Sequence, residues 1–116
     1  MSPADRYRLT LRLGPRVEHE RFASLSRTLD ALEERLGQLG RSVERETVDL
    51  RYRRMEPVEQ VAARGEIAGP RGLRGGVDLR GDGSSEAFTG RVRRRLVAQR
   101  PDESAFQALR RVLEGG

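Results

Sequence analysis

Hydrophobic and polar positions alternate strictly at the start of this chain. In residues 6–13 (RYRLTLRL), Tyr7, Leu9, Leu11 and Leu13 fall on one side and Arg6, Arg8, Thr10 and Arg12 on the other. A period of two predicts a half-buried strand. Gly14-Pro15 supplies a turn, and residues 17–22 read as a charge-rich returning strand. That hairpin would set Glu18 and Glu20 across from first-strand arginines as opposite-charge pairs. The period then changes. Leu25, Leu29, Leu32, Leu36 and Leu39 recur at helical spacing after Ser24 or Ser26, with Gly37 and Gly40 as the stop. The expected helix is 26–39, its leucine stripe packed on a sheet.

Residues 45–55 (RETVDLRYRRM) return to alternation and predict a third strand, with Val48, Leu50 and Tyr52 inward and Arg51 and Arg53 outward. After Pro57, residues 58–68 predict a fourth strand through Val61, Ala63, Gly65 and Ile67, paired with the third. The stretch 69–76 (GPRGLRGG) reads as a flexible loop. Val77 and Leu79 then lead through the Gly81–Ser85 turn into a return strand over 86–98. Asp102 or Ser104 caps a last helix bearing Phe106, Leu109 and Leu113. The expected fold is α+β: a mainly antiparallel sheet of about six strands in hairpins, with two helices packed on one face. One domain spans residues 1–116, with mobile termini.

Composition narrows the chemistry more than it suggests it. All 23 basic residues are arginine against 18 acids, a net charge of +5. Asparagine is also absent, so a GC-rich coding sequence accounts for part of the bias. Lysine's absence excludes Schiff-base chemistry and the Gly-Lys-Ser/Thr phosphate loop. Cysteine's absence excludes disulfides, thiolate nucleophiles and sulfur-ligated metals. His19 is the sole histidine, flanked by Glu18 and Glu20, so multi-histidine zinc sites are excluded within one chain. A triad built on His19 lacks a nucleophile-elbow sequence. Residues 78–86 (DLRGDGSSE) imitate a calcium loop but carry Arg80 and Thr89 where ligands belong. Asp30, Glu33 and Glu34 lie on the polar side of the leucine-striped helix, as solubilising charges. The expectation is a non-catalytic protein without metal or cofactor. No apolar stretch approaches bilayer-spanning length and none at the N-terminus resembles a leader, so cytoplasmic placement is expected.

Arginines on strands carry the positive signal. Arg91, Arg93 and Arg95 alternate along 90–97 (GRVRRRLV), while Arg94 would turn inward and need a partner or a bulge. With Arg51 and Arg53 on the third strand and Arg6, Arg8 and Arg12 on the first, they would build an arginine field on the sheet face opposite the helices, if these strands are neighbours. Such a face binds DNA or RNA through phosphates, with affinity that falls as salt rises. The hairpin-then-helix layout over 73–113 resembles the three-stranded DNA-binding modules of the AP2 and integrase-arm kind, which implies an arginine-bearing ribbon laid on DNA. The opposing account pairs each outward arginine with a neighbouring acid. A protein-interaction or homodimer module without intrinsic activity is the alternative function.

Overall fold

The computed structural model describes residues 6–49, 61–90 and 93–115, giving the backbone path alone for 41–49 and Val61. The chain forms β1 (Tyr7–Leu13), β2 (Arg16–Phe22), α1 (Leu25–Asp49), β3 (Val61–Ala68), β4 (Arg74–Arg80), β5 (Ser85–Thr89), β6 (Arg95–Leu96) and α2 (Ala105–Gly115). The six strands make one antiparallel sheet in the order β2-β1-β3-β4-β5-β6. Both helices cover the same face, so the α+β architecture expected from periodicity is the one observed.

Alternation decides which side of the sheet each residue takes. Leu9 and Leu11, Ala63 and Ile67, Val77 and Leu79, and Ala87 are buried toward the helices. Leu29, Leu32 and Leu36 of α1 meet them, joined by Ala105 and Leu109 of α2. Gly65 sits beneath α1 because nothing larger fits. A Cβ there would stand 2.2 Å from Leu32 Cδ1 and 3.2 Å from Leu36 Cδ1.

The helix N-termini follow from serines. The Ser24 Oγ accepts the Arg27 N–H at 3.2 Å, and the buried Thr28 hydroxyl donates to the Ser24 carbonyl at 2.7 Å. Ser104 and Gln107 form a reciprocal capping box: Ser104 Oγ accepts the Gln107 N–H, and Gln107 Oε1 accepts the Ser104 N–H. Asp102 instead occupies a left-handed backbone position, φ 64°.

Several expectations are corrected. Gly37 and Gly40 do not end α1, which continues to Asp49. Neither adopts the positive φ of a helix-terminating glycine, and Gly40 is buried with Leu79 Cδ1 3.5 Å from where its Cβ would be. Glycine there serves close packing, at the usual helix-propensity cost of about 1 kcal/mol. Residues 45–49 are therefore helix, not the start of a strand, and 50–55 lie outside the described residues. The partners of β3 are β1 and β4, not a strand over 45–55.

The expected loop 69–76 is tighter than its glycines suggest. Pro70–Gly72 makes a single 3-10 turn, closed by the Leu73 N–H donating to the Pro70 carbonyl at 3.2 Å, and the Gly69 N–H donates to the Leu73 carbonyl at 3.0 Å across its base. Arg74, Gly75 and Gly76 already belong to β4, and both glycines are buried. The return strand over 86–98 is broken at Gly90, φ 96°, so β5 and β6 are separate. Six strands are present among the described residues, but not the six that periodicity outlines.

Candidate nucleic-acid interface

The face opposite the helices carries polar and charged side chains from every long strand. In register across it lie Arg12, Arg64 and Asp78 in one row and Thr10, Glu66 and Gly76 in another. Carboxylates are interleaved among the guanidiniums. Arg64 holds Asp78 with two hydrogen bonds, Nε to Oδ1 at 2.5 Å and Nη2 to Oδ2 at 3.1 Å. That pairing raises the Arg64 pKa above its ordinary value. Glu66 is shared by Arg94 at 3.2 Å and Arg12 at 3.7 Å, and Arg80 holds Glu86 at 3.0 Å.

Phe88 lies on this same face, in register with Gly76 and Leu96. Its ring is nevertheless buried, covered by Arg94 at 4.7 Å and Arg64 at 5.6 Å from the ring centroid. The ring faces away from the helices and is roofed by cations instead. Gly76 makes room, since a Cβ there would come within 2.7 Å of Phe88 Cζ. Arg94 finds the partners it needs, in Glu66 and the Phe88 ring.

At one end of the sheet the pattern changes. The first residues of β1 and β4 meet the last of β2 and β3. Cross-strand register there runs Arg21, Arg8, Ala68, Arg74, all on the open face. Arg8 and Arg21 are directly opposed, an arrangement that costs energy between like charges. Arg8 and Arg74 stand two strand spacings apart, about 10 Å. No carboxylate stands in this row. The Gly90 N–H donates to the Arg74 carbonyl at 3.2 Å, tying Gly90 to the same end.

Behind the row, the end of the sheet and the C-terminal half of α2 enclose an open cleft of about 660 Å³. Arg6, Arg71 and Arg74 line it on one side. Tyr7, Leu25, Leu73, Val112 and Leu113 supply an apolar wall. Its carboxylate, Glu114, is paired with Arg110 Nη1 at 3.1 Å.

The residues singled out from sequence are only partly placed. Arg51, Arg53 and Arg91 lie outside the described residues. Arg93 and Arg95 are exposed, but Arg93 is in a bend, and Arg95 pairs with Thr89, whose other partner Gly75 packs on Leu109 of α2. They do not form the one-faced stripe that alternation predicts, because Gly90 breaks the strand before them. Glu18 and Glu20 are opposite Leu11 and Leu9, not arginines. Glu20 instead pairs with Arg35 of α1 at 2.5 Å. The arginine row had a signal in the sequence, since Arg8 follows from β1 alternation. Arg74 was hidden by reading its segment as loop.

His19 is exposed on β2, its Nδ1 3.0 Å from the Thr10 hydroxyl. Among the described residues, no cluster of three metal-ligating side chains occurs, and no helix is long and apolar enough to cross a membrane. In comparisons with known proteins, the chain matches no family model, no curated protein and no solved structure.

Proposed function

We propose that this protein is a non-catalytic nucleic-acid-binding domain whose phosphate contacts come from the arginine end of the open sheet face. The pair Arg8 and Arg74, in register through Ala68, carries the reading. Elsewhere on the face Arg12, Arg64, Arg80 and Arg94 already have carboxylate partners. Arg8 and Arg74 face outward in a row without acids, where a polyanion gains attraction and relieves like-charge repulsion. Arg93 and Arg95 are exposed near this end of the sheet, Arg95 on the side of the helices, and add positive charge there without joining the row. Arginine suits the task, since its planar fork takes two phosphate oxygens at once.

A dimer through a sheet edge has less support. The β2 edge alternates Arg16, Glu18, His19, Glu20 and Arg21, the charged dressing that discourages strand addition. At the other edge, β6 is two residues long.

The test is oligonucleotide binding across a salt series. Replacing both Arg8 and Arg74 by Ala weakens binding at least tenfold and lowers the slope of log K against log salt by about 0.7 to 0.9 per arginine removed. Replacing Arg93 and Arg95 gives a smaller loss of the same kind. An unchanged slope in the Arg8/Arg74 variant overturns the reading.

A further inference from the structure

The cleft behind the arginine row combines two surfaces that seldom meet in a protein this charged. One side is apolar, from Leu25 of α1, Val112 and Leu113 of α2, Leu73 and the Tyr7 ring. The other presents Arg6, Arg71 and Arg74. Its volume of about 660 Å³ is within the range of small-ligand sites. Arg74 belongs both to this cleft and to the phosphate row, so the two surfaces are continuous.

The backbone at Arg71 adds an independent observation. Arg71 has φ 60° and Gly72 φ 74°. Positive φ favours Gly or Asn, so arginine is not at position 71 for the backbone's benefit. Sparsely populated backbone conformations of this kind concentrate at functional sites. Here the residue is an arginine that lines a partly apolar cleft.

We propose that this cleft receives one unstacked base of a single-stranded nucleic acid, while the adjoining phosphates lie on Arg8 and Arg74. The proposal rests on the phosphate-binding reading above and adds the form of the ligand. A base offers a flat apolar body with polar edges and is chained to a phosphate, which matches an apolar wall beside three guanidiniums. Stacking on aromatic rings and guanidinium planes is how single strands are held without sequence readout. Bases of a duplex are stacked and paired, and cannot enter. Glu114 is held by Arg110, which it shares with Asp30, and three arginines of the same cleft outnumber it.

The experiment compares five ligands at fixed ionic strength by fluorescence anisotropy and competition. These are a mixed-sequence DNA single strand, a strand of equal length with abasic sites, the corresponding duplex, and two competitors, dodecyl phosphate and a mononucleotide. The intact single strand binds about tenfold or more tighter than the abasic strand, with the same salt slope, and tighter than the duplex. Val112→Gln, a neutral change on the cleft wall, weakens intact-strand binding several-fold and leaves abasic binding unchanged. Equal binding of intact and abasic strands, or of single strand and duplex, overturns base capture and leaves the phosphate-binding reading standing. So does displacement by dodecyl phosphate at lower concentration than by a mononucleotide, which assigns the cleft to an alkyl chain. If no nucleic acid binds, both readings fall together.

Discussion

Gly65 and Gly76 show how single residues set the separation of layers. Gly65 lets α1 approach β3, while Gly76 lies on the opposite face under Phe88. Their tolerance of a methyl group should differ. At Gly65 the nearest atom is the end of the flexible Leu32 side chain, which can change rotamer. At Gly76 it is the Gly65 carbonyl oxygen at 2.2 Å, which cannot move without the sheet. Gly76→Ala therefore costs the more of the two, about 3 kcal/mol against about 1 to 2 for Gly65→Ala, by the usual cost of overpacking. Thermal melting of both variants checks the order. The inward place of Gly65 was legible from alternation among Ala63, Gly65 and Ile67. The role of Gly76 was not, because a Gly-Gly pair in a glycine-rich run reads as loop until its neighbours across the sheet are known. The Phe88 roof was hidden for the same reason: alternation places Ala87 and Phe88 on opposite faces but does not say which meets the helices.

Elements here are joined by a few arginine clamps as much as by apolar contact. Between β6 and α2 the chain runs without regular structure, and Arg111 anchors it. Its Nε and Nη2 bond both oxygens of Glu103 at 2.9 and 3.0 Å, and Nη2 also reaches the Ala98 carbonyl at 2.9 Å. Glu103 accepts the Arg100 N–H as well. The bonds from Arg111, and secondarily from Arg100, depress the Glu103 pKa to about 2. A carboxylate held below its unfolded value of about 4.5 stabilises the fold fully above that pH. The contribution declines below about 4.5 and is gone once pH falls through about 2. Glu103→Gln removes this pH dependence, so the stability difference between wild type and variant shrinks as pH drops from 6 to 2. Denaturant melts across that range measure it, and a constant difference refutes the assignment. Periodicity found both helices and most strands but missed these joints. It located Ser104 as a cap candidate from residue type, yet had no means to see that Glu103 beside it serves Arg111. The longer misreading, strand instead of helix over 45–49, arose because Val48, Leu50 and Tyr52 alternate in the sequence. A helix already nucleated by the leucine stripe at Leu25–Leu39 extends through 45–49 at lower cost than starting a new strand, since propagation adds one bond per residue fixed.

At the scale of the molecule, what matters is where the positive charge stays uncancelled, not how much there is. A net charge of +5 spread evenly would steer little. The sheet instead separates a middle and far end of matched pairs from a near end where Arg8 and Arg74 share a row that holds no acid. Glu66 sits at the border, its one carboxylate serving both Arg12 and Arg94. Neutralising it leaves two guanidiniums on the open face without their partner and extends the positive region from the Arg8–Arg74 row toward the centre. Exposed pairs of this kind contribute only about 0 to 1 kcal/mol each, so Glu66→Gln should fold with little loss. A nucleic acid lying along the open face then binds several-fold tighter at low salt, and its salt slope steepens by about 1 to 2 as up to two further phosphates are engaged. A ligand confined to the end cleft feels only the more distant field, and its slope stays put. The same titration thus measures how far along the sheet the polyanion extends, and unchanged binding by Glu66→Gln would confine it to the row and the cleft.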